Sequence, residues 1–410
     1  MPFSKCALTA RVRRSSCSFN HTPLQRLWPP LPFRQSQQTR KSTQRFPIHE
    51  GASSAVYVAT NAAKGDAIVA YRIASTGLLT SFGTYPTGGR GVGPNKLPAL
   101  TPVAIDPLGS NASIKADTRL HVLLAVNAGS ATVTSFSIAE DDTLKARSTV
   151  PSGGLFPTSI ATSGRLVYVA NVGNPSKGLP ATVSGFAVAR NGALTPIRNS
   201  TRNLSQSTVS QAATIVFSPD GRFLVAADMP GDRLTTFVVR PDGRLAAPVS
   251  TQSLGADPFG ATFHDDTLLV QEAQGRVTGA SSLSSYRLLE DGHVVPIATS
   301  IPSGQTGGCW VAARASTPFV FVSDTGNGTI SSYVQRLDGT LNLLIGAAAP
   351  VVAVSGPVDL ALSQDGSYLY QLYGGIGKIG IYRVASTGTL AYIGFAVGLP
   401  ATGAEGLAVY

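Results

Sequence analysis

Seven copies of one short turn signature run along the chain, spaced about every 50 residues with one longer interval early on. Each copy is a small or acidic residue, usually followed by glycine, then a spacer and Leu or Val. The copies are Thr76-Gly77-Leu78-Leu79, Asp141-Asp142-Thr143-Leu144, Asn191-Gly192-Ala193-Leu194, Asp242-Gly243-Arg244-Leu245, Asp291-Gly292-His293-Val294, Asp338-Gly339-Thr340-Leu341 and Thr387-Gly388-Thr389-Leu390. Asp-Gly and Asn-Gly between alternating apolar runs mark hairpins, because the turn needs positive φ. A period of this length signals repeated supersecondary units rather than one irregular domain.

Aromatic and β-branched runs precede each turn. Val56-Tyr57-Val58-Ala59, Leu166-Val167-Tyr168-Val169 and Phe319-Val320-Phe321-Val322 are examples. A second alternating run follows, such as Leu234 to Val238 or Ile330 to Val334. Several units open with a further strand and a Pro-Asp-Gly type turn, as in Ala213 to Phe217 and then Ser218-Pro219-Asp220-Gly221. Each unit therefore reads as four antiparallel strands, A to D from inside to outside. Seven such units arranged radially make an all-β, seven-bladed β-propeller. The first unit starts at strand B, Ala55 to Ala59. The last residues, Gly406 to Tyr410, read as the missing strand A. The C-terminal strand is thus expected to complete blade 1 and remove the free sheet edges. An open solenoid would need capping repeats, and none is visible.

The expected organisation is a disordered basic tail over 1–50 and the propeller over 51–410. The formal charge of +10 is concentrated in that tail. Residues 1–49 carry nine Lys or Arg and no acid, which leaves 23 basic residues against 22 acids in the rest. A nearly neutral propeller gives no electrostatic reason to expect nucleic acid as a partner. No apolar run of about 18 residues exists, so no membrane partner is expected either. Cys309 alone lies in the propeller, which excludes a disulfide framework there. The five histidines have no metal-ligand spacing, so neither a metal nor another cofactor is expected. A cytoplasmic monomer is the simplest reading. The Arg- and Ser-rich, acid-free start leaves a mitochondrial location as the alternative.

Phe217-Ser218-Pro219-Asp220-Gly221-Arg222-Phe223-Leu224-Val225-Ala226-Ala227-Asp228, Val167-Tyr168-Val169-Ala170-Asn171 and Phe321-Val322-Ser323-Asp324 resemble the blades of the seven-bladed lactonase family. That family includes 6-phosphogluconolactonases and 3-carboxy-cis,cis-muconate lactonizing enzymes. The resemblance covers Ser53 to Tyr410 and points to a divergent, poorly characterised branch. The family's inner-strand histidines are absent, since the matching place reads Gln211-Ala212-Ala213-Thr214. Its arginine after a later strand B is replaced by Asp324-Thr325-Gly326. The acid after strand B of blade 5 is kept as Glu272.

Ligands of propellers usually enter at the mouth ringed by the D-to-A and B-to-C loops. Glu272 is the expected catalytic acid there, because a long acid serves poorly as a local strand-end cap. Arg90 and Arg276 are expected to hold an anionic substrate, with Lys96 and Arg202 as further cations on the same loops. Gln211, Gln305, Trp310, Asp359 and Glu405 complete the expected substrate-binding set around the entrances of the inner strands. Of the other strand-B ends, Asn61, Asn127, Asn171, Asp228 and Asp324 are read mainly as backbone caps, and Tyr373 completes the ring. The resulting expectation is a lactonase- or cycloisomerase-like enzyme using acid–base chemistry on a small organic acid or lactone, with a secondary-metabolite tailoring step as a variant. The alternative is a non-catalytic propeller that binds a small molecule, a glycan or a protein.

Overall fold

The structure, a computed structural model, describes residues 54–94, 105–174, 177–205 and 210–410. The expected tail and Lys96 lie outside these residues.

Seven antiparallel sheets surround a central channel. Six have four strands in the order A-B-C-D. Blade 3 carries an extra two-residue strand, Arg202–Asn203, beside its strand C. The B strands are short apolar runs buried along their whole length, such as Ala55–Ala59, Val122–Asn127 and Phe223–Asp228. Each is hydrogen-bonded on both edges and covered on both faces by neighbouring blades. The outermost strands alternate instead. Leu144–Pro151 buries Leu144 and exposes Lys145, Ala146 and Arg147 at the rim.

Blade 1 closes the ring as the sequence implies. Leu407–Val409 pairs antiparallel with Ala55–Ala59, in the register Val56↔Val409 and Val58↔Leu407. The backbone N–H groups of Ser54 and Tyr410 reach Tyr410 O and Ala55 O respectively, both near 2.8–2.9 Å.

The recurrent turns do more than reverse the chain. Six of them place glycine at positive φ, from 78° at Gly243 to 89° at Gly292. In blade 2 that position is Asp142, at φ 66°. A left-handed non-glycine residue costs roughly 1–2 kcal/mol. Here its carboxylate offsets the strain, accepting from Ser54 Oγ at 2.8 Å and pairing with Arg72 at 3.0 Å. The carbonyl of this same turn residue receives a hydroxyl from the preceding blade. Tyr57 donates to Asp142 O, Tyr168 to Gly243 O, Tyr370 to Gly77 O and Ser285 to Gly339 O, at 2.7–3.1 Å. The turn signature is therefore also a latch between consecutive blades. The core follows the same logic, as apolar layers between neighbouring blades. Tyr57, Leu123 and Phe136 form one such layer between blades 1 and 2.

Candidate active site

The entrances of the seven inner strands face the mouth side of the channel, with the strand-B ends around them. The A-to-B turns lie on the opposite side. The connection from blade 1 to blade 2 does not stay at the surface. Its residues 106–113 cross the channel and are held there by four other blades. Leu108 N donates to Glu405 Oε2 at 2.8 Å, and Gln211 Nε2 donates to Gly109 O at 3.1 Å. Trp310 Nε1 donates to Ser110 O at 3.0 Å, and Ser110 Oγ donates to Thr158 O at 2.8 Å. Asn111 N reaches Ala213 O at 2.8 Å. Buried backbone needs such partners, and this segment finds them on the inner strands. The expected open mouth is therefore closed by a polar plug. A cavity of about 450 Å³ lies on the other side of it, towards the A-to-B turns.

Three acids gather at the plug. Asp106 is 7% exposed, Asp359 4% and Glu405 0%. The Asp106 and Glu405 carboxyl groups are close neighbours, and each acts on the other's pKa. Two buried carboxyl groups so placed do not ionise together, so the pair retains a proton. Burial raises both, and the negative charges of Asp106 and Asp359 raise Glu405 further, so Glu405 keeps the proton. Asp106 Oδ1 also accepts Gly109 N at 2.8 Å, which favours its ionised form. Burial pushes Asp359 up to about 7, against hydrogen bonds from Gly406 N at 2.7 Å and Ala112 N at 3.4 Å.

Asp106 opens on a mouth-side pocket of about 130 Å³, lined also by Ile105, Arg276, Thr306, Cys309 and Thr325. Arg276, exposed on the B-to-C loop of blade 5, lowers the Asp106 pKa through its charge without forming a direct ion pair. Its charge acts on Asp257 as well. Burial pushes the Cys309 thiol far up, so it offers no thiolate.

The sequence candidates fall into three groups. Arg276, Asp359 and Glu405 are brought together with Asp106. Gln211 and Trp310 hold the plug, and Trp310 also packs on Phe259 at 5.0 Å between centroids. Glu272, Arg90 and Gln305 line neither cavity. Glu272 corrects the expectation of a mouth acid. It is fully buried inside blade 5, where Ser284 Oγ and Ser282 Oγ donate to it at 2.5 Å, Ser300 Oγ at 3.1 Å and Gly255 N at 3.2 Å. A Cβ at residue 255 would stand 2.6 Å from the Glu272 carboxyl carbon, so glycine is what lets that amide approach. Burial raises the Glu272 pKa and all four donors oppose the shift. Arg90 is exposed, and its backbone is tied to Ser130. The Gln305 backbone carbonyl accepts Ser281 N, and its amide lies near Gly346 on the outer side of blade 6.

Most other strand-B ends cap local groups. Asp228 accepts Ser210 Oγ at 2.7 Å and Gln211 N at 2.9 Å, and Asn61 accepts Val92 N at 2.9 Å. Arg202 bonds the carbonyls of Leu245, Asn199 and Thr201, away from the channel. Asp106 is the residue that sequence reasoning missed. The available signal was its isolation as the one acid between residues 67 and 116, inside the longest connection of the chain. Among the described residues no group of three or more His, Cys, Asp or Glu has metal-holding geometry.

The family model described as lactonase, 7-bladed β-propeller, matches residues 108–403. No curated protein matches the chain. Among solved structures, a Bacteroides uniformis protein assigned provisionally as a 6-phosphogluconolactonase is similar at 19% identity and TM-score 0.65, covering 87% of this chain and 99% of its own. The Pseudomonas aeruginosa periplasmic gluconolactonase is similar at 18% identity and TM-score 0.64, covering 87% and 98%. A Lactobacillus plantarum protein is similar at 17% and 0.65, covering 88% and 100%. At these identities the likeness is one of fold.

Proposed function

Since the chain belongs to the seven-bladed β-propeller lactonase family, we propose that it is a lactonase- or cycloisomerase-like enzyme acting on a small organic acid or lactone. The observation that carries this reading is the buried Asp106–Glu405 carboxyl pair behind a pocket that Asp106 and Arg276 both line. In lactone hydrolysis, Asp106 takes a proton from water as the water oxygen bonds to the carbonyl carbon. The guanidinium of Arg276 stabilises the oxyanion that forms. The ring C–O bond then breaks, and the leaving alkoxide takes the proton back from Asp106. Glu405 keeps one proton within the pair throughout, so Asp106 alternates between base and acid near neutral pH. In a cycloisomerase, the substrate carboxylate adds to an alkene carbon, the adjacent carbon takes a proton from Asp106, and Asp106 regains one from solvent. A volume of about 130 Å³ suits a lactone ring or a carboxyl terminus rather than a whole larger metabolite. A secondary-metabolite tailoring step is compatible with such a site.

A panel of lactones and muconates tests the reading. Ring opening would be followed by pH-stat titration and diene loss by ultraviolet absorbance. Turnover that is lost in Asp106→Asn and kept in Glu272→Gln supports it. Turnover equal in wild type and Asp106→Asn removes Asp106 from the chemistry.

The plug favours a second reading, a non-catalytic propeller that binds a small molecule, a glycan or a protein. A channel closed at the mouth by residues 106–113 restricts access to the inner strands. Absence of turnover across the whole panel would favour this reading.

A further inference from the structure

The cavity of about 450 Å³ on the far side of the plug holds two cations and takes no part in the proposed chemistry. Lys115, on the inner strand of blade 2, and Arg314, just after the inner strand of blade 6, both line it. Lys115 lines the cavity, and no hydrogen-bond or ion-pair partner for its Nζ occurs among the described residues. Arg314 donates through Nε to Leu362 O at 3.1 Å, and its carbonyl is held by His264 Nε2 at 2.9 Å. Its two terminal nitrogens have no acidic partner among the described residues.

The two charges oppose one another. Burial and the charge of Arg314 both lower the Lys115 pKa, and burial works against the charge of Arg314. The acids that face them are committed elsewhere. Asp117 caps the amides of Arg119 and Leu120, and Asp365 caps its own turn through Ser363 and Ser367. Ile160, Ile215, Phe217, Phe263 and Leu407 give the mixed wall its apolar part, and the inner end carries Asn111 and Asp359. That apolar part strengthens the field of uncompensated cations at the cavity entrance.

We propose that this end of the channel is a binding site for a small organic anion with an apolar body, its charged group set between Lys115 and Arg314 and its body along Ile160, Ile215 and Phe263. The volume falls within the usual range for small-molecule sites, roughly 300–1,000 Å³. The plug separates it from the Asp106 pocket, so binding here stands independently of the proposed reaction.

Isothermal titration calorimetry at pH 7 tests the site with octanoate, 1-octanol and inorganic phosphate. The expected result is saturable one-to-one binding of octanoate that weakens with added salt. Octanol lacks the charge and phosphate lacks the body, so each should bind at least ~10-fold more weakly. Lys115→Ala should weaken octanoate binding about tenfold, and Lys115→Glu should abolish it. The Lys115 side chain makes no hydrogen bond among the described residues, and the backbone pairing of its strand is kept in both variants, so both should melt like wild type. Asp106→Asn should bind octanoate as wild type does, which separates this site from the mouth. Equal affinities for octanoate and octanol, affinity unchanged in Lys115→Glu, or no saturable octanoate binding to wild type would each overturn the proposal.

Discussion

The interior of blade 5 and the plug of the channel both bury carboxylates, and they treat them in opposite ways. Glu272 is surrounded by three serine hydroxyls and one backbone amide, all from its own blade. Every lone pair that burial strips of water finds a donor, so the acid serves as a clasp among strands B, C and D. Asp106, Glu405 and Asp359 divide the same number of donors, four backbone amides, among three acids. Glu405 Oε1 accepts no hydrogen bond. A shortage of donors keeps a proton in the cluster, and a labile proton beside a pocket is what acid–base chemistry needs. Burial alone therefore does not separate the two kinds of acid; the number of donors per carboxyl group does.

The comparison can be broken most directly at Asp106. Asp106→Asn is expected to lower kcat on whichever lactone is turned over by on the order of 10³-fold, about 4 kcal/mol of barrier, with stability little changed. A fall in kcat of less than tenfold would mean that the plug acids are as structural as Glu272. The converse change, Glu272→Ala, leaves four buried donors without their acceptor. It should cost on the order of 3 kcal/mol in urea-melt stability while activity per folded molecule holds. Lost activity in a fully folded Glu272→Ala protein would reverse the two roles.

Asp359 sharpens the contrast through pH. Its pKa is about 7 in the folded chain and 3.8 in the unfolded one, so between pH 4 and 7 the folded state binds more protons. Its contribution to stability is therefore fully present below pH 4 and lost as pH rises through 7, with a limiting slope of about 1.4 kcal/mol per pH unit. Asp359→Asn should flatten that slope in thermal or denaturant melts across the window. An unchanged slope would show that Asp359 is ionised throughout. The smallest expected effect is Ser300→Ala, which removes one of the four donors to Glu272. A loss of about 1 kcal/mol in the same melts would grade the clasp donor by donor.

The fold was legible because its signals are local. Glycine at six turns, three of them Asp-Gly, marks positive φ, and the strand from Ala55 to Ala59 lies where the apolar run places it. Even the closing strand could be inferred, by counting strands in the first unit. The site was less legible because it depends on contacts between distant segments. Glu405 and Asp359 were found as residues at inner-strand entrances, a position repeated in every blade. Asp106 belongs to no repeat, and only the path of the plug across the channel brings it to Glu405. Glu272 was misread for a related reason. Its partners, Ser282, Ser284 and Ser300, lie on strands C and D, and nothing in a run of serines announces that their hydroxyls converge on one carboxylate.

The closing strand ties the assembly of the site to the last stage of folding. Gly406 donates to Asp359, and Glu405 directly precedes the strand that pairs with Ala55–Ala59. That pairing joins segments almost at opposite ends of the chain, and contacts of such long range form late because their loop entropy must be overcome first. An intermediate with six finished blades would still lack the carboxyl pair, since one of its two members arrives with the strand that seals the ring. Refolding experiments should therefore see activity return only with the slowest phase, after most β-structure is already in place.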